Sequence, residues 1–164
     1  MISIVVAEDQ EMLLGVIGSL LNLEEDMEVV GHARNGKEAI ALVQQLQPDV
    51  CIMDIEMLEM SGLEAAEALL PERCKVIILT TFAKKGYFQR VLSANVKGYL
   101  LKDSPSEQLV CCIRSIVRGT QIFSPELMDD DQTKSEPSIN QRKKARILRH
   151  YFSSIIDKMK LPTG

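Results

Sequence analysis

The chain has 164 residues, 46% hydrophobic and 26% charged, with a formal net charge of −4, which is enough for one core of ordinary size and about 40 residues beyond it. No apolar run approaches the ~18 residues of a membrane span, and "MISIVVAEDQ" reaches acids by residue 8 with no basic segment before its apolar stretch, so it predicts a first strand of a cytoplasmic protein and not an export signal. The four cysteines, Cys51, Cys74, Cys111 and Cys112, sit in apolar patterns without C-x-x-C spacing, which favours reduced, buried thiols and, with only His32 and His150 to add, argues against zinc.

Two periodicities alternate along the chain. "ISIVVAED" (2 to 9) predicts a short strand, and residues 10 to 25 place Leu13, Val16, Ile17, Leu20 and Leu21 on one helical stripe. "MEVVGHA" (27 to 33) precedes a helix over 35 to 47, with Asn35 as cap and Glu38 completing a capping box. "DVCIMD" precedes a short helix near 62 to 70, "KVIILTT" (75 to 81) a helix near 84 to 94, and "GYLLKD" (98 to 103) the stretch "PSEQLVCCIRSIVRG". For that last helix Ser104 is the expected cap, with Pro105 at the first helical position, Glu107 three residues after the cap and Gly119 as the stop. Five strand and helix pairs in about 120 residues predict an α/β fold, a doubly wound five-stranded parallel sheet.

Such a sheet gathers its strand ends on one edge, where ligand sites form. Glu8 and Asp9 follow the first strand, Asp54 ends the apolar run of the third, Thr80 and Thr81 end the fourth, and Lys102 and Asp103 follow the fifth. Three carboxylates repel one another unless a cation sits among them, and Mg²⁺, a hard ion that keeps exchangeable waters, suits oxygen ligands. Lys102 supplies a point charge and Thr80 a hydroxyl, both suited to phosphate oxygens, so the set fits transfer of a phosphoryl group to an aspartate acting as nucleophile. Taken singly, each residue has an ordinary reading: the acids as helix caps, Lys102 as a solvated flank, the threonines as β-formers. No G-x-G-x-x-G or G-x-x-x-x-G-K-[ST] follows the first strand, which removes the usual nucleotide-binding explanations.

In order and spacing, "ED" at 8 and 9, the aspartate of "DIEM" at 54, the threonine of "LTT" at 80, Tyr99 and Lys102 resemble the receiver of a two-component response regulator, over residues 1 to about 124. The resemblance implies a flavodoxin-like fold. It implies that Glu8, Asp9 and Asp54, with the backbone carbonyl of Glu56, hold Mg²⁺, and that Asp54 takes a phosphoryl group from a sensor histidine kinase. Thr80 and Lys102 would contact that group, and the ring of Tyr99 would turn inward as Thr80 moves. One departure is Leu58, where the family usually has proline. The stretch "DSPSEQLVCCIRSIVRGTQIFSPEL" resembles the receiver end of the LuxR or NarL-type subfamily, whose helix-turn-helix output needs about 60 further residues.

Residues 125 to 138 read as a linker by their Asp, Ser and Pro content, which leaves 139 to 164 as a short helical extension, a remnant of a DNA-binding region. "ILRHYFSSIIDKMKLPTG" resembles a recognition helix with Leu148, Phe152, Ile155, Ile156 and Met159 on its apolar side and Arg149 at a DNA-facing position. Its supporting helices are missing, so promoter DNA binding by this chain is expected to be weak or lost. "RKKARILRH" (142 to 150) reads equally as a solvated basic face. The function expected is a phosphorylation-controlled transcriptional regulator that accepts a phosphoryl group without being an enzyme. It would pair as a homodimer through the first and last receiver helices, by Leu14, Gly18 and Leu21 with Leu109, Val110, Ile113, Ile116 and Val117, a surplus of apolar surface. The alternative is a stand-alone receiver acting through protein contacts. A hydrolase of the haloacid dehalogenase type fits less well, since Glu56 stands where its second aspartate belongs.

Overall fold

The computed structural model describes residues 1–128. The strands are β1 (Ile2–Ala7), β2 (Met27–Ala33), β3 (Val50–Asp54), β4 (Lys75–Thr80), β5 (Gly98–Leu101) and β6 (Ile122–Phe123), and the helices are α1 (Glu11–Asn22), α2 (Gly36–Leu46), α3 (Gly62–Ala68), α4 (Tyr87–Ser93) and α5 (Ser106–Val117). All pairings are parallel, in the order β2-β1-β3-β4-β5-β6. The α/β fold expected from the sequence is therefore present, with β6 as an added strand: two residues are too short to show a period, and this pair is defined only by its hydrogen bonds to β5.

Alternation along each strand sorts the core into two layers. Ile4, Val6, Ile52, Ile77, Leu79 and Leu100 point to the face covered by α1 and α5, while Val5, Ala7, Cys51, Met53, Val76, Ile78 and Tyr99 point to the face covered by α2, α3 and α4. Because both faces are covered, the strands read as continuous apolar runs. A short 3-10 turn, Pro125–Leu127, follows β6 and buries Leu127 in the same layer as Tyr99. The compact unit thus reaches past residue 124. Among the described residues no helix is long and apolar enough to cross a membrane.

Helix ends show where local signals act. Asn35 Oδ1 accepts from Glu38 N at 2.9 Å, and the Glu38 carboxylate accepts from Arg34 N at 2.7 Å, one residue before the position a capping box would use. The cap expected at Ser104 does not form: α5 starts at Ser106, and Pro105, which has no side-chain acceptor to offer, occupies the cap position. Gly119, at φ +110°, ends α5 by donating to the carbonyl of Ile116 at 3.0 Å, and Thr120 donates to Ser115 at 3.1 Å. Lys75 Nζ adds a cation at this terminus, donating to the carbonyls of Ile116 and Val117 at 3.0 Å each.

The helix faces expected to form a pairing surface are spent inside the monomer. Leu14, Leu21, Leu109, Val110, Ile113 and Ile116 are all buried in the layer between the sheet and α1 and α5, and Val117 packs against it partly buried. Gly18 is buried because the His32 side chain of β2 lies over it; a Cβ there would come within 2.6 Å of His32 Nε2. The wide stripe arises because each of these helices packs against both the sheet and its neighbouring helix. Among the outward residues of α1 and α5, Met12 and Cys111 are apolar and exposed, beside Glu11, Gly15, Ser19, Asn22, Glu107 and Gln108.

Candidate functional site

In the order β2-β1-β3 the chain reverses its direction of winding between β1 and β3, and the crevice beyond their carboxyl ends is where an open sheet offers a site. Ala7 and Met53 are cross-strand partners, so the residues that follow them, Glu8 and Asp9 on one strand and Asp54 on the other, leave the sheet side by side. One carboxylate oxygen from each of Glu8, Asp9 and Asp54 lies within 4.8 Å of the others. Lys102, delivered by the end of β5, reaches across: its Nζ lies 2.6 Å from Glu8 Oε2 and 3.0 Å from Asp54 Oδ2. Asp54 Oδ1 accepts from the backbone N–H of Ile55 at 2.8 Å, and Glu8 Oε1 accepts from Gln10 N at 3.2 Å.

Burial sets the electrostatics. Glu8 and Lys102 are each 2% exposed. Burial pushes Glu8 up to about 7 although Lys102 pulls it down, and it raises Asp54 against the same ammonium. Burial also disfavours the Lys102 cation, but Asp54 and Glu8 outweigh it and hold the ammonium above its usual range. Among the described residues, Lys102 pairs with Glu8 and Asp54 and with no third acid, while Asp9 adds a further carboxylate to the cluster, so the acids outnumber the cation. Oxygen donors converging beside a crevice fit a hard divalent cation such as Mg²⁺.

Thr80 is buried, and its hydroxyl donates to the carbonyl of Phe82 at 2.9 Å. Tyr99, one strand over and opposite Ile78, is wholly buried, its ring already inside the layer of α2, α3 and α4. The loop after β3, which carries Glu56 and the departing Leu58, is tied down without a proline: Gly62 N donates to Ile55 O at 2.8 Å, Met60 N to Leu58 O at 2.8 Å, and Gly36 N to Met60 O at 3.1 Å. Leu58 itself points to solvent. Arg149 and the rest of 139 to 164 lie outside the described residues.

Two features here were not read from the sequence. Gly62 lies so close to the backbone of Asp54 that a Cβ would stand 2.0 Å from the Asp54 carbonyl oxygen. The Glu56 carboxylate pairs with Lys84 and accepts from the Tyr87 hydroxyl at 3.3 Å, joining the loop after β3 to the loop after β4. "SGLEAA" shows a capped helix start, and nothing in it reveals what the glycine faces. Glu56 and Lys84 are 28 positions apart, with no period to link them.

The family model of the response regulator receiver domain matches residues 4–114. The transcriptional regulatory protein DesR of Bacillus subtilis is 50% identical over 182 aligned positions, covering 98% of this chain and 92% of the relative. The chain has 164 residues, so at least 18 of those positions have no counterpart here. The transcriptional regulatory protein YvfU of Bacillus subtilis is 57% identical over 129 residues, covering 77% of this chain and 64% of the relative. Among solved structures, a DNA-binding response regulator of the LuxR family from Staphylococcus aureus superposes with a TM-score of 0.68 at 37% identity, over 71% of this chain and 99% of that one.

Proposed function

The chain belongs to the response regulators of two-component systems, with a receiver domain of the LuxR and NarL type, and from that premise we propose that Asp54 accepts a phosphoryl group from the phosphohistidine of a sensor histidine kinase. The observation that carries the reading is the convergence of Glu8, Asp9 and Lys102 on the Asp54 carboxylate at the crevice between β1 and β3. In the transfer an Asp54 carboxylate oxygen forms the new P–O bond as the P–N bond to the donor imidazole breaks, and the imidazole nitrogen leaves with the bonding pair. Glu8, Asp9 and Asp54, with the backbone carbonyl of Glu56, would hold Mg²⁺, which when bound offsets the charge of the phosphoryl oxygens. Lys102 holds the Asp54 carboxylate in place and gives the phosphoryl oxygens a positive partner.

Thr80 links this chemistry to a change of shape. Its hydroxyl has a single proton, now given to the Phe82 carbonyl, and donating it to a phosphoryl oxygen releases that carbonyl and the loop behind it. Tyr99 already faces inward, so the larger rearrangement falls to residues 82 to 86. Pairing through the outer faces of α1 and α5 remains the proposed response, now built on exposed Met12, Gly15, Ser19 and Cys111 and not on the buried leucines. Phosphorylation shifts an equilibrium between two states of this surface.

The proposed organisation is a receiver running to Leu127, a linker to 138, and a remnant of a LuxR-type DNA-binding region from 139 to 164. At least 18 missing positions relative to DesR support the view that this remnant lacks the helices that set a recognition helix in the major groove. DNA binding by this chain is then weak or absent, and its output passes through protein contacts in the cytoplasm. Intact-mass analysis after incubation with a small phosphodonor and Mg²⁺ tests the central claim. One phosphoryl group should add to the parent and none to Asp54→Asn; an Asp54→Asn protein that gains the same mass overturns it.

A further inference from the structure

Beside α5 lies an apolar groove of about 300 Å³ at the β6 edge of the sheet. Leu79 and Leu100 line it from the sheet, Leu109 and Cys112 from α5, and Ile122 and Phe123 from β6. Its size is near the lower end of the ~300–1,000 Å³ range of concave binding sites, so it takes a few side chains and not a domain. By sequence, Asp103, Glu107 and Glu126 each adjoin a lining residue, and the one basic neighbour on the same count, Lys102, is engaged by Glu8 and Asp54.

We propose that this groove is the docking site of the chain's own C-terminal segment, with Phe152, Ile155 and Ile156, the centre of the stripe Leu148, Phe152, Ile155, Ile156 and Met159, as the residues that enter it. Three observations select this occupant. The described chain ends at Met128, immediately after the turn whose Pro125 lines the groove, and 36 residues follow. The charges are complementary: residues 1–128 carry 18 acids and 11 Lys or Arg, a net of −7, whereas 129–164 carry five acids and eight Lys or Arg, a net of +3, with Arg142, Lys143, Lys144, Arg146 and Arg149 just before or within the apolar stripe. The stripe itself repeats at i, i+4, i+7, i+8 and i+11, one face of a helix, in a chain that lacks at least 18 of the positions found in a full-length relative. An apolar face that has lost its own partners is driven to another apolar surface.

Reach and tethering favour the same answer. Nineteen residues separate Met128 from Leu148, and any chain of that length can reach at most roughly 65 Å, well beyond the radius of gyration of about 14 Å of a domain of this size. A tether of that kind gives an effective concentration on the order of millimolar, so a contact too weak to hold a free peptide closes within one molecule. The inference does not depend on Asp54 being the phosphoacceptor and is tested without phosphodonor.

The groove carries its own probes, since Cys111 is exposed and Cys112 half-buried, both on its α5 wall. Alkylation of the dilute, full-length chain with iodoacetamide, followed by peptide mass analysis, reads the rate at each, with wholly buried Cys51 reporting any unfolding. The double substitution Phe152→Glu and Ile156→Glu should speed labelling of the peptide holding Cys111 and Cys112 severalfold and leave Cys51 unreactive; an unchanged rate overturns the proposal. In a second arm, Ile155→Cys should form a disulfide with Cys111 or Cys112 under mild oxidation while the protein stays monomeric. No such link, or one found only between two chains, overturns it, the latter making a second copy the occupant. If Cys51 reacts in the charged variant, the second arm alone decides.

Discussion

Replacing Gly62 with alanine tests whether the backbone behind Asp54 is as tightly set as the structure requires. A Cβ at position 62 would lie 2.0 Å from the Asp54 carbonyl oxygen and 2.9 Å from its carbonyl carbon. Carbon and oxygen in close, unstrained contact sit about 3.3–3.6 Å apart, so a gap of more than about 1 Å must open. Neither side yields cheaply, because the obstacle is main chain at the end of a central strand, and Gly62 N is bonded to Ile55 O at 2.8 Å. Overpacking of this kind costs about 1–3 kcal/mol, and a clash with backbone belongs at the upper end, which for a domain of this size lowers Tm by roughly 10 °C. The catalytic penalty is separate: displacing a reacting group by about 1 Å costs on the order of 100-fold in rate. Thermal unfolding followed by circular dichroism and the rate of mass gain with a small phosphodonor measure the two effects. Gly15→Ala is the control, since Gly15 is exposed on α1 with nothing within 4 Å of a Cβ, and it should stabilise by about 0.5–1 kcal/mol. A Gly62→Ala protein that melts and labels like the parent would refute the reasoning.

The cation requirement predicts that excess chelator stops phosphorylation and that Asp9→Ala does nearly the same while the fold survives, because Asp9 is the least buried of the three acids; full labelling of either sample counts against the assignment. The Arg114 guanidinium bonds to both oxygens of Asp26 at 2.8 Å and holds that carboxyl down to about 2 from 3.8. A carboxyl depressed on folding adds stability above its unfolded value and loses it as pH falls through the folded one. Asp26→Asn should therefore lower Tm at pH 7, and the gap to the parent should shrink below about pH 4 and close near pH 2; a gap of constant size would assign the loss to something other than this pair. Pairing through α1 and α5 predicts that Met12→Glu with Ser19→Arg leaves Asp54 labelling intact but keeps the phosphorylated protein monomeric by light scattering. Dimerisation at the parent's level would move the interface elsewhere.

The sequence by itself determined strands β1 to β5 and the polar residues that stand at their ends. A strand covered on both faces must be apolar at every position, so "VCIM" is conspicuous, and the first residue that breaks such a run, Asp54, stands at the sheet's edge. The helix starting after Asn35 was equally legible, because capping is a local bond between near neighbours. Tertiary structure alone decided which apolar residues were left over: the wide stripes of α1 and α5 suggest surplus surface, yet each helix packs on the sheet and on the other helix, and Leu14, Leu21, Leu109 and Ile113 are consumed. It also decided the direction of the Thr80 hydroxyl, the pairing of Glu56 with Lys84, and the reason for a glycine at 62. These are contacts between segments that the chain places far apart, or choices among a few degrees of rotation. A one-dimensional pattern records what is buried along a face, but which atoms meet across space is set only when the layers close.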